Sequence, residues 1–146
     1  MPDAIAIPLD FWQDPQGDVL LAYSERECSI YFPCWDADGN PANFIGHLLF
    51  EHAVGARSFP HEYLPYKIEP HKHHSYILRI PESSFVHEHI EYRKRCYPNT
   101  RITDVKHYVV VGHDIYHEIL ADGFTASTIP VKDIQDPRLV RLGDFS

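Results

Sequence analysis

The chain has 146 residues, of which 44% are hydrophobic and 23% charged, and this balance predicts one globular domain. A formal net charge of −8 and only one short basic run, Arg93 to Arg95, argue against nucleic-acid binding. No apolar run approaches the roughly 20 residues of a membrane span. The start Met1-Pro2-Asp3 lacks signal-peptide features, so we expect a cytoplasmic protein without membrane contact.

The first third of the chain predicts a hairpin followed by a helix. Residues 18–24 and 27–33 predict two strands joined by a polar turn, and the second is rich in β-branched and aromatic side chains. Asn40 and Pro41 suit the N-cap and the first position of a helix. The apolar residues that follow recur at helical spacing and predict a helix over residues 41–54: Phe44, Ile45, Leu48 and Leu49.

The rest of the chain alternates predicted strands and helices after a long loop. Residues 56–74 show no sustained period and are interrupted by prolines, so we expect a stiff loop with at most a short edge strand at 63–69. Residues 82–96 predict a helix, although Val86, Ile90 and Tyr92 also fit a strand-like alternation. The other predicted elements are strands at 75–80, 104–112 and 124–130 and a short helix that carries an apolar stripe over residues 115–120 and ends near Gly123.

This element order predicts an α+β fold. We expect a single domain over residues 1–146, with residues 131–146 as a polar C-terminal tail. Its centre would be one mixed or mostly antiparallel sheet, with about three helices packed mainly on one face.

Histidine pairs at helical spacing indicate a candidate metal site. His113 and His117 are four residues apart and, on a helix, both could ligate one ion. His47 and Glu51 have the same spacing on the predicted helix 41–54. If the two helices lie side by side, these four residues would form a nitrogen and carboxylate site for a divalent transition metal.

Two carboxylates beside His113 and His117 suit the same chemistry. Asp114 or Glu118 would act as the general base for a metal-activated water. The alternative is that residues 113–118 are the solvated face of an amphipathic helix.

The proline-rich loop is the candidate binding surface. Its aromatic and imidazole side chains are typical of recognition surfaces: His61, Tyr63, Tyr66, His71, His73 and His74. The alternative is a structural cover that buries its own tyrosines.

The charge distribution points to a partner of opposite sign. Residues 1–40 carry eight acidic side chains against one basic residue, Arg26. This excess suits a basic protein partner, or serves only to keep the protein soluble. The sequence also leaves a homo-oligomer open. Our first hypothesis is therefore a non-catalytic protein-binding module of the inhibitor or immunity type. The alternative is a metal-dependent hydrolase that uses the two-helix His/Glu site.

Overall fold

The structure is a computed structural model that describes residues 3–67, 76–99 and 104–142. Within these residues the chain is mostly β, with ten strands in two five-stranded sheets. The same residues contain no helix long and apolar enough to cross a membrane. The strands, in chain order, are β1 Ile5–Ala6, β2 Trp12–Gln13, β3 Leu20–Tyr23, β4 Cys28–Trp35, β5 Pro41–Glu51, β6 Gly55–Pro60, β7 Ile77–Arg79, β8 Lys106–Val111, β9 Ile115–Ala121 and β10 Gly123–Pro130.

The strands pair antiparallel in both sheets. The first sheet has the order β10-β5-β4-β2, and β3 also pairs with β4. The second sheet has the order β1-β7-β8-β9-β6. A short turn between β9 and β10 carries the chain from the second sheet back to the edge of the first.

The main core lies between the two sheets, because alternate residues of each strand point inward. Strand β4 contributes Ile30 and Phe32 to this core, and the second sheet contributes Val110 and Ile119. None of these four residues has exposed surface. Gly46 of β5 lies directly beneath the Phe32 ring, where a Cβ atom would approach within 2.3 Å of the ring. Glycine is therefore required at this point of closest approach.

Two α-helices, α1 Ser84–Cys96 and α2 Pro137–Leu142, cover the outer faces of the sheets within the described residues. Helix α1 lies over the second sheet, and Ser83 caps it by accepting a 3.0 Å hydrogen bond from the Val86 N–H. Helix α2 forms part of the segment predicted as a polar tail. It buries Leu139 and Leu142 against Ile45 of the first sheet.

The predicted single sheet with about three helices on one face is wrong. Residues 41–54 and 115–120, predicted as helices, lie in strands β5 and β9. Strand β9 is buried on both faces, and β5 is covered on its outer face around Ile45, so their apolar residues do not simply alternate with polar ones as in a half-exposed strand. Ile45, for example, is buried against α2 on the outer face, while its neighbour Phe44 packs against the inner core. Adjacent apolar residues that face opposite sides of a strand therefore give the same sequence pattern as the apolar stripe of a helix.

The predicted loop over residues 56–74 is wrong at its start, because Gly55–Pro60 forms β6. Six other predicted elements are confirmed within a few residues. These are the strands at 18–24, 27–33, 75–80, 104–112 and 124–130 and the helix at 82–96. Each of these strands has strong β-branched or aromatic content, and the helix has a serine N-cap.

Candidate functional site: a buried carboxylate network and an open strand edge

The first candidate site is a polar network beneath α1, on the outer face of the second sheet. Its centre is Glu118 of β9, whose side chain is 1% exposed. Arg57 of β6 is the direct cross-strand partner of Glu118. His107 of β8 pairs with Leu120, two residues from Glu118, and therefore points to the same face. Tyr66 joins the group from the segment after β6.

Three side chains donate hydrogen bonds to Glu118. Nε2 of His107 lies 2.8 Å from Oε1, and Nε of Arg57 lies 2.5 Å from Oε2. The hydroxyl of Tyr66 also donates to Oε1. Burial by itself would raise the pKa of Glu118, but the hydrogen bonds from His107, Arg57 and Tyr66 outweigh it and lower that pKa to about 2. Glu118 is therefore ionised at neutral pH and holds a proton too weakly to act as a general base there.

Ser83 continues the network towards the surface. Its Oγ lies 2.6 Å from Nδ1 of His107. Because an ionised carboxylate only accepts hydrogen bonds, Nε2 of His107 carries a hydrogen. In the neutral imidazole Nδ1 is then an acceptor, and the Ser83 hydroxyl donates to it. Phe85 and Tyr66 flank the imidazole edge-on, with ring centroids 5.4 and 5.7 Å away.

A pocket of about 230 Å³ opens beside Ser83 and His107, at the start of α1. Apolar side chains form much of its wall: Ile80, Val86, Ile90 and Val105. Arg79 and His87 also line it, and both are exposed. The pocket gives a small molecule access to the serine end of the network, while Glu118 stays enclosed.

The second candidate site is a groove of about 640 Å³ beside β10, at the edge of the first sheet. Phe11, Phe44 and Phe124 supply its aromatic lining, and Asp10 supplies a negative charge. Within the described residues β10 pairs only with β5, so its other edge presents unpaired backbone groups. None of its eight residues is charged. Natural edge strands are commonly protected by lysine or another charge, and β10 lacks this protection.

The four residues of the predicted metal site are not brought together. His47 and Glu51 lie on a strand, where a spacing of four residues separates them by about 13 Å. His113 is exposed in the turn between β8 and β9, with Asp114 beside it. His117 points to the opposite face from Glu118.

The histidines of the predicted metal site have other partners. Nε2 of His47 lies 2.9 Å from the Ser29 hydroxyl. His117 lies 2.6 Å from Ser58 Oγ through Nδ1 and 2.8 Å from the Val19 carbonyl oxygen through Nε2. Across the part of the chain that the structure describes, no three His, Cys, Asp or Glu residues are grouped to hold a metal ion.

The residues of the predicted loop surface do not share one environment. His61 and Tyr63 are exposed in a short 3-10 turn after β6, and Tyr63 retains 63% of its surface. Tyr66 is buried and belongs to the Glu118 network, so it acts as structural cover. The other candidate residues of this surface lie outside the described residues: His71, His73 and His74.

Sequence reasoning missed Arg57, Ser83 and His107. Arg57 and Glu118 are 61 residues apart in the chain, and only the strand pairing brings them together. One signal was available. A glutamate within the apolar run Ile115–Ala121 is out of place on a buried strand unless it is paired.

The fold and the two sites define a β-sandwich with a buried Ser–His–Glu network and an uncovered strand edge. Comparisons of the chain with models of known protein families, with curated proteins and with solved structures gave no match.

Proposed function

We propose that the protein is a protein-binding module that takes up an extended, basic segment of a partner by strand addition along β10. One observation carries this proposal: an uncharged eight-residue edge strand borders an aromatic groove. In strand addition, backbone hydrogen bonds along the edge provide affinity, and pockets beside the edge select alternate side chains of the ligand. The groove lies on the side to which Phe124 and Ala126 point, so every second residue of the added strand would face it.

The charges around the strand favour a basic ligand. Asp10 lines the groove, and Asp36 and Asp38 lie in the turn that leads into β5, the pairing partner of β10. At the other end, Glu51 accepts a 3.2 Å hydrogen bond from Thr125. An uncharged strand flanked by carboxylates attracts a cationic segment and repels an acidic one.

The same charges disfavour a second copy of this chain as the occupant. Each copy carries a formal net charge of −8, and edge-to-edge pairing would bring the two groups of carboxylates together. The exposed Tyr63 and His61 follow β6 of the second sheet and therefore form a surface separate from β10.

Two synthetic peptides of nine residues test the proposal. One alternates lysine with valine and threonine, and the other carries glutamate in place of lysine. We expect the lysine peptide to bind in a fluorescence anisotropy titration, more weakly as salt is added, and the glutamate peptide not to bind. The amide NMR signals that shift on binding should be those of residues 123–130 and of the groove.

Paired variants locate the binding surface. Thr128→Lys places a positive charge at the groove and should weaken binding of the lysine peptide at least about tenfold. Tyr63→Ala, on the predicted loop surface, should leave the affinity unchanged. The opposite pattern would place binding on the loop. Sedimentation tests for a dimer: one that forms with rising concentration and is abolished by Thr128→Lys would mean that β10 serves self-association. Binding at the loop and such a dimer would each overturn the proposal.

A further inference from the structure

We propose that the protein has a second, catalytic activity, the hydrolysis of small carboxylic esters, with Ser83 as nucleophile and His107 as its general base. Glu118 would orient the imidazole. This activity is independent of the proposed binding function, because it uses the outer face of the second sheet rather than the edge of the first.

The order of the hydrogen bonds carries the inference. Ser83 Oγ lies 2.6 Å from His107, and His107 lies 2.8 Å from the buried carboxylate of Glu118. This is the arrangement in which a carboxylate fixes the imidazole tautomer and the other ring nitrogen accepts the serine proton. The roles of Nδ1 and Nε2 are exchanged relative to serine proteases, but the imidazole bridges hydroxyl and carboxylate in the same way.

The carboxylate itself is held firmly. Arg57 lies with its guanidinium carbon 3.9 Å from the centroid of the Phe85 ring while its Nε donates to Glu118. The ring of Phe85 also packs against His107. A base positioned by a buried carboxylate and two aromatic rings is restricted to the geometry that reaches Ser83.

The pocket supplies access and a place for the acyl group. Its apolar wall accepts a short hydrocarbon chain, and Arg79 and His87 lie where a polar leaving group would meet solvent. Ser83 is the N-cap of the 13-residue helix α1. The N–H groups of Ser84 and Phe85, in the first turn, have no intrahelical acceptor and would stabilise negative charge on the carbonyl oxygen.

The reaction balances without a metal or a redox partner. Ser83 Oγ attacks the ester carbonyl and transfers its proton to Nδ1 of His107. The tetrahedral adduct collapses, the C–O bond to the alcohol breaks, and His107 returns the proton to the leaving oxygen. Water, activated by His107 in turn, then cleaves the acyl–Ser83 ester and releases the carboxylic acid.

Covalent labelling tests the assignment directly. The purified chain is incubated with a fluorophosphonate, which reacts with activated serines, and the adduct is located by peptide mass spectrometry. We expect one adduct, on Ser83, and catalysed hydrolysis of p-nitrophenyl acetate. Ser83→Asn removes the nucleophile but keeps a good helix N-cap. It should abolish labelling and reduce ester hydrolysis at least about 100-fold.

Ser58→Ala is the matched control, because Ser58 also contacts a histidine, His117, but no carboxylate completes that pair. This variant should label and hydrolyse like the unmodified chain. Absence of an adduct on the unmodified chain, an adduct on Ser58 or Ser84, or full hydrolysis by Ser83→Asn would each overturn the proposal. Mapping on the unmodified chain decides the outcome even if Ser83→Asn fails to fold.

Discussion

Serine, histidine and glutamate form a cluster on the outer face of each sheet, and the two clusters differ in the order of their hydrogen bonds. On the second sheet, the histidine lies between the serine and the glutamate. On the first sheet, the Ser29 hydroxyl donates to Glu27, and Nε2 of His47 lies 2.9 Å from the same hydroxyl. In that cluster the serine lies in the middle. Its proton goes to the carboxylate, so the imidazole cannot activate it.

The clusters also differ in burial. The side chain of Glu118 is 1% exposed, and that of Glu27 is 48% exposed. Helix α1 and the segment around Tyr66 cover the first of these carboxylates, whereas Glu27 lies at the solvent-facing end of β4. The same three residue types therefore do not by themselves define a chemistry. The order of the contacts and their exclusion from water decide it.

The largest contrast between the clusters should be in stability. Glu118→Ala leaves Arg57 and His107 without their carboxylate, and we expect the free energy of unfolding to fall by about 3 kcal/mol or more. Glu27→Ala removes an exposed partner and should cost less than about 1 kcal/mol. Urea titrations followed by circular dichroism measure both values. Equal losses would mean that burial does not distinguish the clusters.

The stability of the fold should depend on pH in the acid range because of the buried carboxylate of Glu118. The pKa of Glu118 is lowered from 4.5 to about 2 in the folded protein. A lowered folded-state pKa stabilises the fold fully above about pH 4.5, and this stabilisation disappears as the pH falls towards 2. The contribution is about 3 kcal/mol. The difference in unfolding free energy between the unmodified chain and Glu118→Gln should therefore shrink from pH 6 to pH 2. If the unfolding free energies of the two proteins instead ran parallel from pH 6 to pH 2, the lowered pKa of Glu118 would be contradicted.

The tyrosines of the two clusters should differ by less. Tyr66→Phe removes a hydrogen bond to the buried, ionised Glu118 and should cost about 1.5–3 kcal/mol. Tyr31→Phe removes a 3.2 Å hydrogen bond to the exposed Glu27 and should change stability by no more than about 0.5 kcal/mol. Paired thermal melts compare the variants. A larger loss for Tyr31→Phe would reverse the assignment of which cluster is structural.

The sequence predicted those parts of the fold that depend on local preference. The helix predicted over residues 82–96 forms as α1, and the β-branched run Val109 to Val111 lies in strand β8, as predicted. Strands β5 and β9 could not be recognised in the same way. Segments far away in the chain cover the outer face of β9, where Tyr66 contacts Glu118, and that of β5 around Ile45, where Leu139 packs, and this burial conceals the strand period.

The candidate site was predictable only in fragments. The sequence pointed to Glu118 and Tyr66 but predicted the wrong roles. Glu118 was predicted as the general base of a metal site, and Tyr66 as part of an exposed binding surface. Their contact with each other spans 52 residues and depends on strand pairing rather than on any spacing within the chain. The error followed from the fold: a helix over 115–120 puts His117 and Glu118 on one face, whereas a strand puts them on opposite faces.

The smallest expected effect separates two histidines outside the Glu118 network, the buried His117 and the half-buried His47. Burial lowers the pKa of His117, although the Val19 carbonyl and Asp18 oppose the shift. A lowered pKa means that stability is fully present above about pH 6.5 and declines as the pH falls, because the unfolded chain binds the proton more readily. His117→Gln should therefore flatten the fall in unfolding free energy between pH 7 and pH 5.

His47→Gln is the matched comparison on the first sheet. Burial also lowers the pKa of His47, and Glu27 opposes that shift. The side chain of His47 retains 18% of its surface and stacks on Tyr31, so water and the ring both remain in contact with the imidazole. We expect His47→Gln to flatten the pH curve less than His117→Gln does, in urea titrations at pH 7, 6 and 5. A steeper curve for either variant would mean that the folded protein favours the charged imidazole, and would contradict burial as the dominant influence on that histidine.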